Sequence, residues 1–269
     1  MQADAYAQLL DRLGIDKVVV VGVSAGAWSS VQFAIRYPER CRALVLLVPA
    51  NYLPVGTSIH GGAVARAIFN SDFVAWAALK LILIMPGGMT QMLLGTDTAV
   101  VRAAEPSEKA RVQQILEHLL PVSPRFGGMQ FDIKTAAAHE PYPIQKIACP
   151  VLTISAEDDR FGTASRAKYV AASVHDGRAI IFPTGGHALV GRYADALRAI
   201  TAFLQSVQEL GGNGDRGSAD HAPNNLPIKL KTPLPKDEQS ILRASGVCVL
   251  PNSESVRIGP SITLNHRMR

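Results

Sequence analysis

Val18-Val19-Val20-Val21-Gly22-Val23-Ser24-Ala25-Gly26 is the stretch that decides the fold of this chain. Four β-branched residues run into a G-x-S-x-G turn, the pattern of a strand that hands a serine to a helix. The two glycines stand two residues before and two after Ser24, where a tight strand-to-helix reversal leaves no room for a Cβ. Such a nucleophile elbow holds a serine hydroxyl clear of the sheet, so Ser24 is the first candidate site residue.

Working outward, residues 3–13 place Tyr6, Leu9, Leu10 and Leu13 on one helical face, and Gly14 closes that helix. Downstream, residues 25–37 read as a helix ended by Pro38, and residues 43–48 as an apolar strand bounded by Pro49. This is a βαβ unit, and its continuous apolar strands are what a parallel sheet covered on both faces requires. From residue 51 to about 140 the pattern changes to Gly- and Pro-interrupted helical segments, including 71–85 and 105–120, which reads as a helical insertion. Parallel sheet resumes with a strand at 151–155, a helix at 163–174, a strand at 178–182 and a helix at 193–210. The chain thus divides into a first core part over residues 1–50, the insertion over 51–140 and a second core part over 141–210. Residues 211–269, rich in Gly, Asn, Pro and Lys, are expected to be mostly disordered, with only 247–250 hinting at a strand.

A chain of 269 residues with 48% hydrophobic and 18% charged content can bury a substantial core. Its net charge of +5 comes without blocks of like charge or interleaved aromatics, so no nucleic-acid role is expected. Cys41, Cys149 and Cys248 are odd in number and far apart, which argues for free thiols over a disulfide framework or zinc site. The N-terminus carries Asp4, Gln8 and Asp11 and lacks the form of a signal peptide, so a cytoplasmic location is expected. Residues 73–85 are strongly apolar but short, contain Lys80 and run into Pro86-Gly87-Gly88; they read as a buried or lid helix and not as a membrane span.

A serine hydroxyl is a weak nucleophile at neutral pH and needs a base within hydrogen-bond reach and an acid to orient that base. Both belong on loops at the C-terminal ends of parallel strands, where clefts form. Two such loops carry suitable groups: Ser155-Ala156-Glu157-Asp158-Asp159 after the third strand, and Pro183-Thr184-Gly185-Gly186-His187 after the fourth. At this level of reading Glu157, Asp158 and Asp159 all remain candidates for the acid.

The order Ser, Asp, His on strand-end loops resembles the α/β-hydrolase fold family, over residues 1 to about 210, and the helical insertion matches the cap of that family. Asp158-Asp159-Arg160-Phe161 and Gly185-Gly186-His187-Ala188-Leu189-Val190-Gly191 are similar to the acid and histidine loops of its branch of carboxylesterases, carbon–carbon bond hydrolases and epoxide hydrolases. The resemblance implies a Ser24–His187–Asp159 triad, an oxyanion amide at Ala25, no metal or organic cofactor, and a small hydrophobic substrate with an ester or similar bond. The family's G-x-x-D-x-x-x-P pattern selects Asp159 over Asp158, although Ala156 stands in the glycine's place and Thr163 in the proline's. Trp28, just past the elbow, is expected to pack in the core or beneath the site.

Two strings imitate other functions. Ile59-His60-Gly61-Gly62 is like the oxyanion loop of lipases, but it follows the second strand instead of preceding the elbow. The valine strand with Gly22 and Gly26 lacks G-x-G-x-x-G, and no G-K-[ST] follows. The resemblance also implies four strands ahead of residue 1, one beside the elbow strand with the second oxyanion amide. A chain without them is expected to be impaired or to be a noncatalytic remnant, and to expose residues 18–21 as an aggregation-prone edge open to a second copy or a complementing chain.

Overall fold

The computed structural model describes residues 2–51, 71–84, 95–118, 120–128, 130–131, 142–212, 247–250, 255–257 and 263–265. A helix α1 (Gln2–Leu13) leads into strand β1 (Val18–Val23), helix α2 (Gly26–Arg36) and strand β2 (Cys41–Leu47). Helices α3 (Asp72–Ile84), α4 (Thr98–Ala103) and α5 (Pro106–Glu117) then intervene before strand β3 (Val151–Ala156). Helix α6 (Thr163–Ser173), strand β4 (Gly177–Phe182) and helix α7 (Tyr193–Gly212) complete the core, followed by strands β5 (Val247–Leu250), β6 (Ser255–Arg257) and β7 (Thr263–Asn265).

The sheet order is β4-β3-β2-β1-β5, with β1 to β4 parallel and β5 antiparallel to β1. The period of two sorts its side chains. Val18, Val20, Leu44, Leu46 and Val151 pack with α1, α2 and Val170 of α6 on one face. Val21, Ala43, Val45, Leu152 and Ile154 pack with Ile200 and Phe203 of α7 on the other. Covering on both faces accounts for the unbroken apolar runs of β1 and β2.

One expectation is corrected. The β1 edge is not bare: Val19–Gly22 pair with Leu250–Val247, so the C-terminal segment takes up the edge amides and carbonyls. The segment Val247-Cys248-Val249-Leu250, where the sequence hints at a strand, is apolar and β-prone enough to complete a neighbouring edge, and two further short strands follow it. The helical insertion between β2 and β3 stands as expected, but α3 is not buried all round. Ala75, Ala78 and Leu79 face inward, while Phe73, Trp76 and Leu81 are exposed. No described helix is long and apolar enough to cross a membrane. Cys41 and Cys149 are buried free thiols with Sγ atoms 3.5 Å apart. His60, Gly61 and Gly62 lie outside the described residues.

Candidate active site

Ser24 follows β1 directly with φ of 50°, a left-handed conformation that a non-glycine residue adopts at a cost of about 1–3 kcal/mol. The neighbouring strand holds it there. Its N–H donates to Leu47 O at 3.0 Å, and its carbonyl accepts from Ala27 N–H at 3.1 Å and Ala50 N–H at 3.0 Å. Gly22 has to be glycine because a Cβ would stand 2.6 Å from Ser30 Oγ and 3.1 Å from Ala27 Cα as α2 folds back over the strand. Gly26 is buried at the start of α2, and its carbonyl accepts from the hydroxyls of Ser29 and Ser30. Ala25 is exposed, and no described backbone carbonyl accepts from its N–H.

The acid and histidine loops meet this elbow. His187 Nε2 lies 2.9 Å from Ser24 Oγ, and His187 Nδ1 lies 2.8 Å from Asp159 Oδ2. A carboxylate offers only acceptors, so Nδ1 carries the proton toward Asp159 and Nε2 is left to accept from the serine. Asp159 has a fully buried side chain, whereas the imidazole is about one-fifth exposed (19%) and open to a reacting group. Phe161 packs its ring edge-to-face with His187 at 4.8 Å between centroids.

The three adjacent acids point to different partners. Asp159 faces the imidazole and also accepts from Phe161 N–H at 2.9 Å. Asp158 turns to the histidine loop and accepts from Gly185 N–H at 3.2 Å and Gly186 N–H at 2.8 Å. Glu157 is exposed and pairs with Lys168.

Several supporting residues escaped the sequence reading. Thr163, in the place where the resemblance has proline, donates its hydroxyl to Asp159 Oδ2 and lies 2.7 Å from Ser155 Oγ. Its spacing four residues after the acid, at the start of a helix, was the available signal. Arg166 is buried, donating through Nε to Asn51 O at 2.9 Å and through Nη1 to Gly162 O at 3.1 Å. Burial pulls its pKa below the usual guanidinium value, with the Asp159 charge opposing the shift. From the insertion, Gly95 O accepts from Arg160 N–H at 3.0 Å, and Thr96 lies so close to Gly186 that a Cβ there would meet Thr96 Oγ1 at 2.2 Å. Gly186 also has φ of 58°, so space and backbone both call for glycine. Trp28 is half-buried, edge-to-face with Tyr142 at 5.1 Å.

The family model of the alpha/beta hydrolase fold matches residues 1–77, which include the elbow. A homoserine O-acetyltransferase of Thermus thermophilus is 47% identical over 53 residues, 19% of this chain and 14% of that protein. The 2-hydroxy-6-oxo-6-phenylhexa-2,4-dienoate hydrolase of Burkholderia cepacia is 25% identical over 201 residues, 75% of this chain and 67% of that protein. Among solved structures, an alpha/beta hydrolase fold protein from Nakamurella multipartita superposes with a TM-score of 0.54 at 21% identity, covering 77% of this chain and 75% of its own. The chain therefore covers only a small part of the first relative and about two-thirds of the second. The strand–serine–helix elbow, the parallel sheet with its helical insertion and these likenesses agree: the chain has the α/β-hydrolase fold.

Proposed function

We propose that the chain is a serine hydrolase acting on an ester or similar bond of a small hydrophobic substrate. The observation that carries this reading is the continuous row from Ser24 Oγ through the His187 imidazole to Asp159, at 2.9 and 2.8 Å. His187 Nε2 takes the serine proton as Oγ attacks the substrate carbonyl, and Asp159 stabilises the imidazolium that forms. The Ala25 N–H, at the start of α2, donates to the oxyanion. The imidazolium then protonates the leaving group, and water activated by the same nitrogen releases the acyl group from Ser24. This chemistry uses no metal or organic cofactor. The name of the Burkholderia relative, a 2-hydroxy-6-oxo-6-phenylhexa-2,4-dienoate hydrolase, includes a phenyl group, which supports a substrate with an apolar part.

A noncatalytic reading, in which the fold holds a small hydrophobic ligand without turnover, is favoured by one observation. The place beside β1 belongs to antiparallel β5 and not to the parallel strand whose loop completes the oxyanion hole in this fold. Hydrolysis of p-nitrophenyl butyrate by wild type and Ser24→Ala separates the two. A serine-dependent enzyme loses about 10⁴-fold or more in kcat on that substitution. Equal rates in the two proteins exclude catalysis by Ser24, and labelling of Ser24 by a fluorophosphonate without turnover supports a nucleophile whose oxyanion site is incomplete.

A further inference from the structure

We propose that Glu108 and Arg111, three residues apart on α5 of the insertion, are positioning residues for His187, gripping the backbone on its C-terminal side so that the ring meets both Ser24 and Asp159. Arg111 Nη2 donates to the carbonyl of Ala188, the residue after the histidine, at 2.9 Å. Glu108 Oε2 accepts from Gly191 N–H at 2.9 Å. The two side chains bind each other at 2.8 Å, and the guanidinium stacks 4.7 Å above the Tyr193 ring. Beneath them, Val112 and Leu116 of α5 pack with Val190 of the same loop. The role assigned to His187 rests on the serine-hydrolase reading above.

The loop closes on itself through Val190 N–H to Gly185 O at 2.8 Å and Leu189 N–H to Gly186 O at 3.2 Å, but its backbone is intrinsically permissive. Gly185, Gly186, Leu189 and Gly191 all have positive φ, at 143°, 58°, 49° and 71°. Glycines there enlarge the set of conformations the free loop would sample. Asp158 ties down the amides on the N-terminal side of His187, and the only charged side chains bonded to its C-terminal side, among the described residues, are Glu108 and Arg111. Both are largely shielded, with side-chain exposures of 18% and 13%. Burial alone would push the Glu108 carboxyl up, but Arg111 and the Gly191 amide outweigh it and hold the group below its ordinary value of 4.5, as a charge suited to this grip. A displacement of about 1 Å in a catalytic group can cost about 10²-fold in rate, so a contact from an element 77 residues away in sequence can set turnover without touching substrate.

The test compares Arg111→Met, Arg111→Lys and Glu108→Gln with wild type on two readouts: kcat and KM for p-nitrophenyl butyrate, and the far-downfield proton resonance of His187 Nδ1–H. Arg111→Met keeps a stem over Tyr193 and removes every donor. It is expected to lower kcat about 10- to 100-fold with KM within about 2-fold, and to shift or broaden the resonance. Arg111→Lys should recover part of both. Should Arg111→Met not fold, Glu108→Gln decides on the same readouts, with an expected loss in kcat of about 3- to 10-fold. An unmoved resonance with kcat within about 2-fold of wild type overturns the proposal, as does a loss confined to KM. If Ser24→Ala turns over as fast as wild type, the hydrolase reading fails by itself, and the resonance alone judges the grip.

Discussion

Exchanging the roles of Asp158 and Asp159 experimentally is the sharpest check on the site. Asp158 accepts two backbone amides, Gly185 at 3.2 Å and Gly186 at 2.8 Å, both of them from buried glycines. A hydrogen bond to a charged group contributes about 1.5–3 kcal/mol. Asp158 is half-buried, so water replaces part of what is lost, and about 1 kcal/mol for each amide is the better figure. Asp158→Ala is then expected to lower the unfolding free energy by about 2 kcal/mol, and Asp158→Asn, which keeps one acceptor oxygen, by about 1 kcal/mol. Turnover should fall moderately as the histidine loop loosens.

Asp159→Asn should behave in the opposite way. The amide is nearly isosteric but favours the wrong imidazole tautomer, and the expected loss in kcat is about 10⁴-fold. Urea unfolding of the four proteins gives the stabilities, with unchanged slopes as the sign that the denatured state is comparable. p-Nitrophenyl butyrate hydrolysis gives the rates. If Asp158→Ala abolished turnover as completely as Asp159→Asn while its unfolding midpoint stayed at the wild-type value, the assignment of the two acids would be refuted.

Three further outcomes follow from the packing. Gly22→Ala forces a methyl to within 2.6 Å of Ser30 Oγ and should destabilise by about 1–3 kcal/mol, read as a lowered Tm; an unchanged Tm contradicts the close approach of α2 to β1. A chain ended at residue 245 loses β5 and bares the β1 edge, so light scattering and size-exclusion chromatography should show association that the full chain lacks; a monodisperse truncated chain would show that β5 is dispensable there. Asp4 is held at a pKa of about 2, down from 3.8, chiefly by the Tyr37 hydroxyl and further by Arg36. Because the folded value is the lower one, this tie of α1 to α2 stabilises fully above about pH 3.8 and is lost as pH falls through about 2. An NMR titration midpoint for Asp4 near 3.8 would contradict it.

The legible parts of this molecule are those fixed by local chemistry. Four valines before G-x-S-x-G specify a buried strand and a tight turn whatever lies elsewhere, and Val18–Val23 with Ser24 at φ of 50° follow from them. The loops that carry His187 and the acids at 157–159 were legible because a parallel sheet puts its strand-end loops on one side, and only the resemblance singled out Asp159 among them. What stayed hidden depends on partners distant in sequence. Whether an amide of residue 185 meets Asp158, or a carbonyl of residue 188 meets Arg111, is set by loop dihedrals and by how the insertion folds back. Neither leaves a periodic trace. β5 was only hinted at for the same reason: four apolar residues reveal a strand's tendency, while the vacancy beside β1 that they fill lies more than two hundred residues earlier.

The departures from the family pattern carry their own argument. Where the resemblance has proline at residue 163, this chain has a threonine that begins α6 and donates a hydroxyl to Asp159. A proline there would fix φ but offer no donor. The threonine instead adds a bond to the same carboxylate oxygen that faces His187 and links it to Ser155 at the end of β3. Asp159 is thereby fastened to the rigid sheet through a side chain, while Asp158 fastens the mobile-prone glycine loop through two amides. The adjacent acids divide one task, since neighbouring loop residues project to different sides: one fixes the imidazole directly, the other fixes the backbone that carries it. With Glu108 and Arg111 on the far flank, His187 is held from three elements at once, and its distance to Ser24 becomes a property of β3, β4 and α5 together.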